Sequence, residues 1–288
     1  MKKILVIGCK GMAGHVIMLY LKNLRIYDVW GLARNIKTEN NVVNLDVFDV
    51  KKLENLIIKE KFQVVINCIG LLNKTAEENP QLAIWINSYL PHLLASFGKK
   101  YNFKLIHIST DCVFSGNEGG YNENSFKNGI GFYAQSKALG EIVNSRDLTF
   151  RTSIIGPELK NNGIGLFHWF MNQDKEVSGF SNAYWTGVTT VELSEAINQS
   201  IQQNLTGLYH LVNNQKISKY ELINLFNENF KQGKIKVIKN IKYSVDKSLV
   251  NSRKDFNYLV PSYMQMIKNM KKWILDYNDN YKHYNQFI

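Results

Sequence analysis

Lys3-Ile-Leu-Val-Ile-Gly8-Cys-Lys-Gly11-Met-Ala-Gly14 is the stretch on which the fold turns. An unbroken apolar run that meets glycine reads as a strand buried on both faces, as in a parallel sheet. His15-Val-Ile-Met-Leu-Tyr-Leu-Lys22 follows with helical character. Strand, glycine turn and helix, in that order, are the context of a dinucleotide site. Gly8 permits the tight turn. Gly11 lets the backbone approach a pyrophosphate resting on the helix N-terminus, and Gly14 lets the helix pack close to the strand. Lys10 and Met12, inside the turn, are candidate cofactor contacts. The spacing is Gly-x-x-Gly-x-x-Gly, so a plain strand–helix connection is the alternative.

Working outward, Asp28-Val-Trp-Gly-Leu-Ala-Arg34 reads as the second strand. An acid at its end would hold a ribose 2′-hydroxyl. Arg34 stands there instead, and the next acid is Glu39. An arginine accommodates a 2′-phosphate, which favours NADPH over NADH; a solvated surface arginine is the alternative. Asn41-Val-Val-Asn-Leu-Asp46 is a short third strand. Asp46, with Val47 beside it, either faces the adenine or caps a helix from about Val50 to Lys61. Gln63-Val-Val-Ile-Asn-Cys-Ile-Gly70 is a fourth strand, and its end, Cys68-Ile69-Gly70, is where an open α/β sheet contacts a cofactor. A long helix from about Pro80 to Tyr101 carries Asn87, either solvated or bonded to backbone near the site. Phe103-Lys-Leu-Ile-His-Ile-Ser109 is the fifth strand. Strands and helices alternate with crossover lengths suited to a parallel sheet, so the class is α/β, a doubly wound Rossmann-type sheet.

The fifth strand delivers Ser109-Thr-Asp111, then a polar Gly-rich loop, then Tyr133-Ala-Gln-Ser-Lys137. Residues i and i+4 are neighbours on a helix. A Lys137 ammonium beside Tyr133 is expected to lower the phenol pKa from about 10. Such a tyrosine can pass a proton to a carbonyl oxygen as it accepts hydride. Thr110, or Ser109, would hold the same oxygen. Tyr-x-x-x-Lys also occurs by chance on helices; the glycine turn, which implies a hydride donor, gives the pair its meaning here.

The sequence resembles the extended short-chain dehydrogenase/reductase superfamily, and within it the dTDP-4-dehydrorhamnose reductases. The matching pieces are Gly8-Cys-Lys-Gly-Met-Ala-Gly14, Ser109-Thr-Asp-Cys-Val-Phe-Ser-Gly116, Tyr133-Ala-Gln-Ser-Lys-Ala-Leu-Gly-Glu141 and Arg151-Thr-Ser153. Fainter likenesses lie at Trp185-Thr-Gly-Val-Thr-Thr190 and Gly207-Leu-Tyr-His-Leu-Val212. The resemblance implies hydride transfer from a nicotinamide to a nucleotide-linked 4-keto-6-deoxy sugar, in deoxysugar biosynthesis for surface polysaccharide. It makes Tyr133 the general acid, gives Lys137 the nicotinamide ribose as well, and has Thr110 hold the keto oxygen. Asp111, Cys112 and Ile154 fall on the sugar side. Cys112 stands where the family usually has Tyr, and Ile154 where it usually has Trp. The family's Pro before the catalytic Tyr is missing from Lys127-Asn-Gly-Ile-Gly-Phe132. The chemistry survives these departures, while the sugar and its base stay open. An NAD-retaining epimerase or dehydratase is one alternative, although related dehydratases carry an acid where Cys112 stands. A non-catalytic NADP-binding regulatory subunit is another.

In the second half, Phe167-His-Trp-Phe-Met171 reads as a core helix, with a cover over the sugar as the alternative. Lys219 to Phe230 is helical, with Ser218 as N-cap. Arg253 either binds a substrate phosphate through its fork or makes a surface salt bridge. Ile267, Met270, Trp273 and Ile274 form the apolar face of a last helix. Tyr281, Tyr284 and Phe287 either clip onto the protein or form a homodimer contact. Residues 1–154 with about 184–214 are expected to form the dinucleotide-binding part. About 155–183 with 215–288 are expected to form a smaller, mixed substrate-binding region.

Composition narrows the partners. The 288 residues carry a net charge of +11, spread as pairs such as Lys2-Lys3 and Lys271-Lys272. No run of five basic residues occurs, so phosphorylated small molecules are favoured over nucleic acid. The histidines lack metal-ligand spacing, and His107 reads as a hydrogen-bonded core residue. The loop Gly116-Asn-Glu-Gly-Gly120 reads as flexible. Three scattered cysteines suggest reduced thiols in the cytoplasm, with no signal peptide and no membrane span.

Overall fold

The computed structural model describes residues 1–287, with side chains as far as Tyr284. Its strands are β1 (Lys2–Ile7), β2 (Tyr27–Ala33), β3 (Val42–Asn44), β4 (Val64–Asn67), β5 (Lys104–Thr110), β6 (Leu148–Thr152), β7 (Ile154–Ile155), β8 (Glu176–Trp185), β9 (Val188–Thr189), β10 (Gly207–His210), β11 (Ile217–Ser218) and β12 (Lys236–Asp246). Seven of them form one sheet in the order β3-β2-β1-β4-β5-β6-β10, and every pairing in it is parallel. This is the doubly wound Rossmann-type sheet the sequence pattern predicts. β1 has β2 on one side and β4 on the other, so the order reverses beside β1. A crevice opens at the carboxyl ends there, where such sheets bind ligands.

The sheet is buried on both faces. Ile4 and Val6 pack with the helices Met12–Asn23, Thr190–Gln202 and Tyr263–Asp276. Leu5 and Ile7 pack with the helices Val50–Glu60 and Leu90–Tyr101 on the other side. A second sheet, β11-β8-β12, joins β12 parallel and β11 antiparallel to β8. The helix Lys219–Phe230 lies on it, with the Tyr220 backbone close to Gly179. Ser218 caps this helix through a full capping box with Glu221, as expected. The short helix Leu166–Met171 buries Phe167, Phe170 and Met171 completely, so it is core and not a cover.

One expectation is sharpened and two are corrected. The helix from Pro80 to Tyr101 runs unbroken as expected, but its middle, Ile84–Tyr89, is wound as a π-helix, and this stretch carries Asn87. The cap of the Val50–Glu60 helix is Asp49, which accepts from Lys52 N; Asp46 lies before it. The Gly116–Gly120 loop is pinned: Gly116 O accepts from Asp246 N, and Ser248 Oγ from Gly120 N, at 2.7 and 2.9 Å.

The last helix buries Ile267, Met270, Trp273 and Ile274 as expected, and the segment after it folds back onto its own chain. Tyr281 and Tyr284 are fully buried. The Tyr281 hydroxyl accepts from Trp273 Nε1 at 3.0 Å and lies 2.9 Å from His15 Nε2. His15 Nδ1 lies 2.8 Å from Gly11 O, within the glycine turn. Tyr284 Oη lies 2.7 Å from His168 Nδ1. The side chain of Phe287 falls outside the described residues. Among the described residues, no helix is long and apolar enough to cross a membrane.

Candidate active site

The glycine turn is a cradle made of backbone. Gly8 adopts φ +84, and a side chain there would press against Ile69 and Cys68. A methyl group on Gly14 would collide with Gly8 O. Gly11 caps the helix Met12–Asn23 in extended conformation without a side-chain bond. Among the described residues, the N–H groups of Met12, Ala13 and Gly14 find no protein acceptor. Three free donors at a helix N-terminus suit a pyrophosphate, so these residues fit a dinucleotide. Lys10 is exposed beside them, and Met12 Sδ lies against Gly165.

Around this cradle, Arg34 is exposed and Arg34 Nη1 lies 3.6 Å from Asp46 Oδ2, so the two end β2 and β3 together. Val47 is buried with Leu5, Ile7 and Leu32, which leaves its backbone to meet a ligand. Cys68, Ile69 and Gly70 follow β4 next to Gly8. Asn87 is fully buried. Its Oδ1 accepts from Leu71 N at 2.8 Å, and its Nδ2 donates to Leu71 O and to Ser136 Oγ. It ties the loop after β4 to the helix Phe132–Leu139, so of its two readings the backbone-bonding one holds.

That helix carries Tyr133 and Lys137. It begins at Gly131 (φ +93), where a Cβ would stand 2.6 Å from Glu77 Oε1. The Glu77 carboxylate replaces an N-cap by accepting from Phe132 N and Tyr133 N, at 3.0 and 3.1 Å. Beyond its far end, Glu141 is gripped by Arg151 in a two-pronged buried pair at 2.7 and 2.6 Å. Glu141 also accepts from Ser109 Oγ at 2.7 Å and from Lys127 Nζ. Ser109 is therefore spent on positioning this helix. Thr110, pointing the other way along β5, is the hydroxyl left for the site. Thr110 Oγ1 accepts from Cys112 N and donates to Asp111 Oδ1.

Lys137 does not act on Tyr133 as expected. Its Nζ donates to Ile108 O at 2.7 Å and lies 3.5 Å from His107 Nε2. Burial pushes this ammonium down to about 8, against the pull of Glu141 and Cys68. The Tyr133 phenol is raised well above its ordinary value, chiefly by burial and then by Cys112; the Thr110 hydroxyl opposes the shift. Tyr133 thus keeps its proton at neutral pH, the form a general acid needs. His107 is fully buried, bonded to Asn67, and held neutral by burial and by Lys137.

On the far side lie Asp111, Cys112 and Ile154. Asp111 is raised by burial, while Lys219 and Lys247 pull it down. Cys112 is raised to about 11 by burial, then by Asp111, and is a neutral thiol. Ile154 is half-buried on β7, beside Val188. Arg253 is not part of this group. Its Nη1 donates to Thr206 O and Leu208 O, at the opposite edge of the sheet, and its Nε and Nη2 to Asp255. Every arm of the fork is used, so of the two readings of Arg253 the salt bridge, to Asp255, is the one present, and the phosphate reading gives way to it and to a clamp on β10. Glu77 is given no role in the sequence, because it acts on Tyr133 N across 56 residues, and Glu141 appears there only as the end of a motif, its bond to Ser109 being set by the fold. Among the described residues, no group of His, Cys, Asp and Glu could hold a metal.

Comparison with known proteins agrees with this architecture. The RmlD substrate binding domain model matches residues 1–249. A probable low-salt glycan biosynthesis reductase, Agl14, of Haloferax volcanii is 32% identical over 117 residues, 38% of this chain and 39% of that protein. The chain therefore aligns with well under half of that relative's length. Methionine adenosyltransferase 2 subunit beta of Bos taurus is 22% identical over 235 residues, 77% of this chain and 70% of that protein. The structure of dTDP-4-dehydrorhamnose reductase from Bacillus anthracis, in complex with NADP, superposes with a TM-score of 0.79 at 21% identity. It covers 94% of this chain and 98% of that one. The fold and the oxidoreductase class read from the motifs agree with the family model and with the two reductases. With a family model matching most of its length, from the glycine turn through the catalytic candidates and beyond, the chain belongs to the RmlD substrate-binding-domain family.

Proposed function

We propose that this chain is an NADPH-dependent reductase of a 4-keto-6-deoxy sugar carried on a nucleoside diphosphate. The observation that carries the reading is the protonated Tyr133 phenol beside the Thr110 hydroxyl, at the carboxyl end of the sheet whose β1 turn leaves three N–H donors free. The nicotinamide, when bound, supplies the hydride. Tyr133 gives its proton to the carbonyl oxygen, and Thr110 holds that oxygen. Lys137, whose Nζ donates to Ile108 O, would hold the nicotinamide ribose. Arg34 favours the 2′-phosphate of NADPH. Cys112 and Ile154 shape the sugar side. Residues 1–154 with about 184–214 would bind the dinucleotide and the remainder the sugar nucleotide. All three thiols are free, in keeping with a reducing cytoplasm.

The test is NADPH consumption by purified protein offered dTDP- and UDP-linked 4-keto-6-deoxy sugars, beside Tyr133→Phe. A wild-type rate that falls about 10²- to 10⁴-fold in the variant supports the reading. No turnover with any such sugar, and no difference between the two proteins, overturns it. The match to methionine adenosyltransferase 2 subunit beta favours a second reading, a cofactor-binding subunit of another enzyme. That reading predicts NADPH binding without turnover by either protein.

A further inference from the structure

We propose that Lys219 and Lys247 form an anion seat that holds the diphosphate of the acceptor nucleotide next to the reacting sugar. This deepens the reductase reading and rests on it. Lys219 is the first residue of the helix Lys219–Phe230, and its ammonium lies 5.2 Å above the Trp185 ring. The nearest acid in sequence, Glu221, is occupied by the Ser218 amide and hydroxyl. Lys247 follows β12, its stem 2.9 Å from where a Cβ on Gly116 would stand. Its neighbour Asp246 is taken by Lys216 Nζ and Ser248 N, at 2.7 and 3.0 Å. Among the described residues, neither Lys219 nor Lys247 makes a hydrogen bond or an ion pair.

Ser218 and Asp246, each one residue before these lysines, both pair with Tyr184 of β8, so the two cations stand at one end of the second sheet, where both bear on the carboxylate of Asp111, directly after Thr110. Asp111 also accepts from Thr110 Oγ1, so it cannot balance two charges. The site carries a surplus positive charge, half-buried and half-shielded by indole. Burial costs Lys219 enough to bring it down to about 8. An uncompensated ammonium in such a place is costly, and two lysines of one sign would repel. An arriving anion removes both penalties.

The location says which anion. In strand order the glycine turn lies at β1, while this seat lies past β5, held by Leu249 N donating to Thr186 Oγ1 at 2.7 Å. The dinucleotide pyrophosphate rests on the turn, so the second phosphate pair belongs to the acceptor. Lysine ammoniums bind phosphate as point charges and tolerate its several conformations.

Titration calorimetry with dTDP and with UDP, neither of which can react, tests this without turnover. Wild type is compared with Lys219→Met, Lys247→Met and the double variant, each keeping the apolar stem. Each single change is expected to weaken diphosphate binding about tenfold, and the double change more, with NADPH affinity unchanged and the melting temperature of the unliganded protein unchanged or raised. Lys219→Arg should restore most of the affinity. Diphosphate binding that is absent from wild type, or equal in wild type and double variant, overturns the proposal. So does a parallel loss of NADPH affinity. Because dTDP and UDP binding is read apart from NADPH consumption, a protein that binds diphosphate through these lysines but turns nothing over separates failure of the reductase reading from failure of the seat.

Discussion

The cradle around Gly8, Gly11 and Gly14 and the proposed seat around Asp111, Lys219 and Lys247 follow the carboxyl ends of β1 and β5 in one sheet but are built on opposite rules. The cradle is made of backbone and of room: a methyl group on Gly14 would strike Gly8 O, and its donors are main-chain N–H groups. The acceptor side is made of side chains brought from β5, from the Lys219–Phe230 helix and from the segment after β12. One should fail when atoms are added, the other when atoms or protons are removed.

The largest effect should come from the buried pair behind the acceptor side. Glu141→Ala leaves the Arg151 guanidinium without its two carboxylate contacts. A loss of about 3–5 kcal/mol of stability is expected by chemical denaturation, as for a broken buried ion pair. A loss below about 1 kcal/mol would mean the pair only decorates the site.

Gly14→Ala should cost about 1–3 kcal/mol from forced repacking, with NADPH affinity falling more than stability does. Lys10→Ala, which removes an exposed candidate contact from the same turn, should leave stability unchanged and lower NADPH affinity less than Gly14→Ala does. A silent Gly14→Ala beside a damaging Lys10→Ala would break the comparison outright.

Proton removal comes next. The Lys137 ammonium, pushed down to about 8, is lost as pH rises through that value. With the Lys219→Arg protein, so that Lys219 does not titrate there, kcat/KM should fall about tenfold per pH unit above about 8. Stability should move the other way. In the unfolded chain lysine keeps its proton to about 10.4. Between about 8 and 10 the unfolded state therefore binds more protons, and Lys137 adds stability as pH rises. A flat rate profile across this window would remove Lys137 from the chemistry.

The smallest effect should be Arg34→Ala. The side chain is 67% exposed and its pairing with Asp46 is loose, so a drop of about tenfold or less in NADPH affinity, with NADH unaffected, is expected.

The same contrast explains what could be read in the sequence. Ile4 to Ile7, the glycine spacing and the Ser218 cap depend on neighbours within a few residues, so pattern alone reveals them. Tyr133 and Lys137 share one helix face and were legible as a pair, but where the ammonium points was not. It is set by Ile108 O on a strand about thirty positions away in sequence. Glu77 stands in for a helix cap from 56 residues upstream of Tyr133. Arg253 looked like a phosphate fork because its type suits one; only the carbonyls of Thr206 and Leu208 show its donors to be used. The Gly-rich loop looked loose because its restraints, Asp246 and Ser248, come from the far end of the chain.

The line from Trp273 through Tyr281 and His15 to Gly11 has a consequence for how the protein is made and handled. The helix that carries the glycine turn is bonded through His15 to a hydroxyl that follows it by 266 residues in the chain. A truncated chain lacking Tyr281 would present a finished sheet with a slack turn. Capture of the dinucleotide would then report that synthesis had passed Tyr281, and an insertion just after Tyr281 would need a spacer long enough to leave its contacts to His15 and Trp273 in place.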